Sequence, residues 1–137
     1  MTPQQVDLLQ RTWRSVLPIA DTATELFYGK LFSLDPKLQR LFKNDMKEQG
    51  RNLTAMISVA VGALAHPERI TLAMRELGRR HAAYGVRADH YATVRVALLW
   101  MLEKCLGEAF TPEVKGAWSD AYALLACTMQ ETVARSH

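Results

Sequence analysis

Four histidines, His66, His81, His90 and His137, are the side chains best able to hold a metal near neutral pH. An unprotonated imidazole nitrogen is a good donor, and its other ring N–H can be oriented by a neighbour. Each also has a structural alternative. His66 precedes Pro67 in a helix break, His90 stands beside Asp89 where a helix begins, and His137 is the last residue. His81, at a helix end, could cap carbonyls. Arg75, Arg79, Arg80 and Arg87 form the densest basic group. It is either a solvated helix face or the source of one guanidinium that steers or pairs with an anionic ligand. Cys105 and Cys127 do not make a disulfide framework and are expected as reduced, buried thiols. With a net charge of +3, no zinc spacing, no RNA-binding aromatic motif and no long basic stripe, nucleic acid is not an expected partner.

The elements that must position these residues are helical throughout. A chain of 137 residues, 49% hydrophobic and 23% charged, suits one soluble domain spanning residues 1–137. No run of eighteen apolar residues exists to span a bilayer, and residues 1–11 lack a basic stretch followed by an apolar block, so a cytoplasmic protein is expected. Thr2-Pro3-Gln4-Gln5 predicts a capping box, and Val6, Leu9, Trp13, Val16 and Leu17 share one face up to Pro18. Thr22 with Glu25 predicts a second capping box. Asp35-Pro36 ends that helix and starts a short one to Phe42, followed by a polar link over residues 43–47.

From Met46 to Leu64 apolar residues recur at three and four, until His66-Pro67 breaks the pattern. Further helices are predicted over residues 70–83 with Gly85 as the stop, over Asp89 to Leu106 with Gly107 as the stop, and from Pro112 to Ala134. Seven helices of such unequal length do not suit a simple four-helix bundle.

The segments LGRRHAAYGV (Leu77 to Val86) and LLWMLEKCLGEAFTPEVKGAWSDAY (Leu98 to Tyr122) closely resemble the second half of neuroglobin. LFYGKLFSLDPKLQRLF (Leu26 to Phe42) resembles the globin helix pair before the distal helix, with Pro36 and Phe42 at the family's spacing. In this order the motifs cover nearly the whole chain. The resemblance implies an all-α globin fold, a three-on-three helical sandwich, with the short D helix missing because the link after Phe42 is brief. It implies a haem b cofactor (iron protoporphyrin IX) with His81 as the proximal iron ligand.

The resemblance also places Gln49, 32 residues ahead of His81, at the main distal position, Leu53 at the distal apolar position, and Tyr28 on the helix facing the ligand. This Tyr/Gln/Leu set is similar to that of bacterial single-domain haemoglobins and the globin part of flavohaemoglobins. Phe42, Asn52, Arg80, Tyr84, Val86, Tyr91 and Val94 are implied haem-pocket positions, whereas Trp13, Trp118 and Phe110 are expected to pack helices only.

Such a pocket takes up oxygen, carbon monoxide or nitric oxide on the iron face opposite His81. Oxygen draws electron density from ferrous iron, so the O–H of Tyr28 and the amide of Gln49 would favour it over carbon monoxide. Each of these two positions has a bland alternative: Tyr28 as a core ring beside Phe27, Gln49 as an exposed residue on a first helical turn.

Three functions are open: reversible oxygen binding for storage, delivery or sensing; nitric oxide dioxygenation or weak peroxidation with an external reductase; and a haem-free packing or sensor module. Two features weigh against a dedicated enzyme. The chain ends at His137, so flavin and nicotinamide domains are not expected. The proximal tyrosine of flavohaemoglobins matches Tyr91, but their proximal glutamate falls on Val133, with Glu131 on a different face. A monomer or weak dimer is expected.

Overall fold

Helix α1 (Pro3–Val16) begins where its first residues dictate. The Gln5 backbone N–H donates to the Thr2 hydroxyl at 3.1 Å, and the Thr2 N–H donates to the Gln5 carboxamide oxygen at 3.0 Å. Pro3 occupies a first-turn position where an N–H would have no helical partner. This is a computed structural model that describes residues 1–42, 45–64, 66, 71, 74–80 and 87–135, with side chains through residue 130.

After Val16 the chain tightens into a 3-10 turn, Leu17–Ile19, and passes directly into α2 (Ala20–Leu34). The capping box expected at Thr22 and Glu25 does not form. The cap is Ile19, with no side-chain hydrogen bond, because the turn that Pro18 opens feeds the helix three residues early. Asp35 then caps a second 3-10 segment, Pro36–Leu41, by accepting from the Lys37 N–H at 3.2 Å. Asp45 does the same for α3 (Met46–Ala63), accepting from Lys47 at 3.1 Å, so the polar link is shorter than expected and leaves no room for a separate helix.

Residues 74–80 form α4. Helix α5 (Ala88–Leu106) starts with the Arg87 N–H donating to His90 Nδ1 at 3.0 Å, which gives this buried histidine a structural job. Gly107, at φ 55°, ends α5 in a conformation that costs glycine little, and α6 (Pro112–Arg135) follows a third 3-10 turn. The predicted stop at Gly85 lies outside the described residues.

The helices stack in two layers of three, α1, α3 and α4 on α2, α5 and α6. Within the layers α2 packs on α5, α5 on α6 and α1 on α3; between them α1 meets α6 and α5, and α2 crosses α3. Helix α4 meets α6 at Gly78, where an added Cβ would fall 2.5 Å from the Met129 carbonyl oxygen. Among the described residues there is no strand, and no helix is long and apolar enough to cross a membrane.

Leu9, Val16, Leu31, Met101 and Leu102 are the largest side chains fully enclosed, and burying each stabilises the fold by about 2 kcal/mol. Trp13 and Trp118 meet at 6.0 Å between ring centres, but their role is wider than the helix packing expected: both donate hydrogen bonds, and Trp118 also lines an apolar cavity. Trp13 donates to Ser58 Oγ at 2.9 Å and Trp118 donates to Thr12 Oγ1 at 2.9 Å, while Thr12 donates to the Leu8 carbonyl at 2.6 Å. Thr12→Val preserves the shape but strands the Trp118 N–H in the core. Denaturant titration should show a loss of about 1–3 kcal/mol.

Neither cysteine is buried as expected: Cys105 is half-buried and Cys127 is exposed, and neither forms a disulfide. Helix α6 carries alanines at positions 121 and 126 inward, which turns position 127 toward the surface.

Candidate functional site

Two helices must touch closely for the candidate distal residues to meet, and a glycine allows it. A Cβ on Gly50 would lie 2.8 Å from Thr24 Oγ1, so only hydrogen lets α3 approach α2 at this crossing. Tyr28 stands one helical turn beyond Thr24, and Gln49 is next to Gly50. The crossing therefore brings them together. Tyr28 is 8% exposed, and its O–H donates to the Gln49 backbone carbonyl at 3.4 Å. That length is at the weak end of the hydrogen-bond range, and the acceptor is the main-chain carbonyl of Gln49 rather than its side chain.

Aromatic rings surround the phenol. Phe27 lies edge-on at 5.0 Å, Phe32 stacks at 5.9 Å, and Phe42 lies edge-on at 5.2 Å. The Gln49 side chain is half-buried, so it is not the fully exposed residue of the bland alternative. One turn along α3, half-buried Leu53 leads from this cluster to a cavity of about 100 Å³. Leu53, Ile57, Leu77, Val94, Leu98 and Tyr122 are among its walls, which are almost wholly apolar.

The remaining candidates divide. Phe42 joins the aromatic cluster, and Val94 lines the cavity. Tyr91 is buried but faces an outer groove between α5 and α6 rather than this cavity, and its carbonyl accepts from the Tyr122 O–H at 2.7 Å. Asn52 is exposed. Arg80 is exposed beside Glu76 at 3.6 Å, as Arg79 is at 3.7 Å, which is the solvated-face reading of that basic group. His66 is exposed. His81, Tyr84 and Val86 lie outside the described residues, as does the side chain of Val133. Among the described residues no cluster of His, Cys, Asp and Glu could hold a metal ion.

Three positions were not picked out from sequence. Tyr122 lines both the cavity and the groove, although its helical spacing from Trp118 and Leu125 does signal an inward face. Gly50 and Gly78 each mark a close helix approach, and nothing local distinguishes them from solvent-facing glycines.

Burial holds all three enclosed phenols protonated. It pushes Tyr28 up to about 12 and raises Tyr91; for Tyr122 burial is again the main cause, with Tyr91 adding to the rise and Arg95 opposing it. A phenol held neutral stabilises the fold fully below its ordinary value near pH 10, and that contribution disappears as pH climbs through the raised value. Stability should therefore stay level up to about pH 10 and fall steeply toward pH 12. Denaturant titrations across that window check this, and Tyr28→Phe should make the fall shallower.

The lining suits an apolar prosthetic group in its chemistry: Leu53, Ile57, Leu77, Val94 and Leu98 wall the cavity, and the buried Tyr28 phenol stands near it. A globin family model matches residues 25–129. Flavohemoproteins are similar over part of their length: that of Deinococcus radiodurans is 29% identical across 94% of this chain and 33% of its own length, and flavohemoprotein A of Dictyostelium discoideum is 26% identical across 92% and 32%. This chain thus spans about a third of those relatives.

Solved structures agree in fold. A hexacoordinated haem protein from an anhydrobiotic tardigrade superposes with a TM-score of 0.86 at 17% identity, covering 96% of this chain and 94% of its own. An engineered carbene transferase, made from a provisionally named nitric oxide dioxygenase of Rhodothermus marinus, gives 0.87 at 23% identity, covering 99% and 95%. A helical sandwich of this order, matched by the family model over most of its length, makes this chain a member of the globin family.

Proposed function

We propose that this globin binds oxygen reversibly, with carbon monoxide and nitric oxide as further ligands, at a haem b anchored by His81. The observation that carries this reading is the Tyr28 phenol: buried, ringed by three phenylalanines and engaged only by a 3.4 Å bond. A haem held by His81 would supply an iron able to take up a diatomic gas.

The chain supplies the rest. Tyr28 has an O–H that gains by turning from the Gln49 carbonyl to a more electron-rich acceptor, in surroundings where water does not compete. The Gln49 amide would share or orient that bond. Leu53 and Val94 keep the inner wall dry, which protects ferrous iron from water-assisted oxidation. On the helix that the sequence predicts through residue 83, position 81 falls one turn beyond the cavity-lining Leu77, which favours His81 as the anchor.

The test is the visible spectrum of the purified protein, oxidised, reduced, oxygenated and with carbon monoxide. A five-coordinate reduced form is expected, because Gln49 is a poor iron ligand, His66 is exposed, and Nδ1 of His90 is engaged by Arg87. A strong bis-imidazole spectrum in the reduced protein would refute this pocket.

The flavohemoprotein relatives favour one second reading, nitric oxide dioxygenation. It uses the same Tyr28 and Gln49 and would need a separate reductase to supply electrons. Rapid nitric oxide consumption sustained by such a reductase would select it over simple oxygen carriage.

A further inference from the structure

The contact between Gly50 and Thr24 is tight enough for one methyl group to change the separation of α3 and α2. A Cβ at position 50 would lie 2.8 Å from Thr24 Oγ1 and 3.2 Å from Thr24 Cβ. Turning the threonine would not clear the second of these, because Cβ does not move with its own side-chain rotation. Oγ1 is also held, donating to the Asp21 carbonyl at 3.1 Å. Across the crossing Gly50 is buried, and its carbonyl accepts from Thr54 Oγ1 at 2.9 Å. Neither helix yields freely here.

The 3.4 Å bond from the Tyr28 O–H to the Gln49 carbonyl bridges the same two helices, one turn along α2 and one residue back on α3. Its length therefore follows the helix separation. The carbonyl lies inside α3, where it also accepts from the helix's own ladder, so the phenol has only its remaining lone pair.

We infer that the Gln49 main-chain carbonyl competes with bound oxygen for the Tyr28 hydroxyl, and that the Gly50–Thr24 contact sets how strongly it competes. This rests on the reading of Tyr28 as the oxygen donor. A hydroxyl has one proton to donate, so oxygen gains the difference between two bonds rather than the whole of one. A closer crossing would shorten the resting bond and lower oxygen affinity. A wider one would release the hydroxyl and raise it. Carbon monoxide draws less on the hydroxyl and would register the crossing weakly. Gly50 and Thr24 are thus positioning residues that act through Tyr28.

Gly50→Ala in the full haem-loaded chain tests this, since alanine suits a helix interior better than glycine and so offsets part of the crowding. Stopped-flow measurement should show oxygen dissociation slowed by about two- to fivefold, with carbon monoxide at the parent rate. Thr24→Ala on top of Gly50→Ala makes room for the methyl and should restore the parent oxygen rate. In a Tyr28→Phe background Gly50→Ala should have no effect on oxygen. Ultraviolet resonance Raman of the gas-free protein, taken as a difference against Tyr28→Phe, reads the hydroxyl directly. The parent should show a donating hydroxyl and Gly50→Ala a free one. An oxygen rate that is unchanged or faster in Gly50→Ala overturns the inference. So does an equal change for carbon monoxide, an effect that survives Tyr28→Phe, or a parent hydroxyl that does not donate. If Tyr28→Phe alone leaves oxygen dissociation unaltered, the reading of Tyr28 falls and takes this inference with it. If Tyr28→Phe acts and Gly50→Ala does not, only the inference falls.

Discussion

Tyr28→Phe is expected to speed oxygen dissociation by about ten- to a hundredfold, corresponding to a lost charge-assisted hydrogen bond of about 1.5–3 kcal/mol. Carbon monoxide, which accumulates less charge, should dissociate at nearly the parent rate. The substitution keeps the ring that packs on Phe27, Phe32 and Phe42 and removes only the hydroxyl, whose present bond to the Gln49 carbonyl is long. Folding stability near neutral pH should therefore change little, which separates a ligand effect from a structural one. Gln49→Leu should act in the same direction but more weakly, and the double change should be less than additive if both side chains serve one network. Stopped-flow displacement of oxygen on the three variants decides it. An oxygen rate within about twofold of the parent for Tyr28→Phe, a shift worth only about 0.4 kcal/mol, would end the distal mechanism proposed above.

The larger effect is expected at His81. His81→Ala removes the proposed anchor, and the purified variant should lose nearly all its haem or show the spectrum of a different ligand. Imidazole added to the variant should restore a histidine-like spectrum, because the free ring can occupy the space left by the side chain. No other described histidine can take over: His66 is exposed, and His90 is tied into the first turn of α5 through its Nδ1. A variant with an unchanged reduced spectrum would show that iron is held elsewhere, and the reading of the whole site would fall with it.

Local sequence was enough for the ends of several helices. Thr2 and Gln5, Asp35 before Pro36, and Gly107 all act within three or four residues, so their hydrogen bonds and backbone angles follow from short-range chemistry. The apolar repeat in α3 likewise announced which face would be buried, and the Leu26–Phe42 motif was enough to place Tyr28 and Phe42 as candidates. Where two local signals competed, the reading failed: the cap at Thr22 lost to the turn begun by Pro18, since helix entry depends on the direction in which the chain arrives.

What tertiary structure alone decided is distance between residues far apart in the chain. That Tyr28 meets the main chain of Gln49 depends on how closely α2 and α3 cross, and that depends on one hydrogen atom at Gly50 facing Thr24. That Tyr91 faces the groove while Val94 faces the cavity depends on the rotation of α5 between its neighbours, which its own broad apolar pattern leaves open. Periodicity fixes the face of a helix only to within a broad stripe. Packing against specific partners turns that stripe into a site.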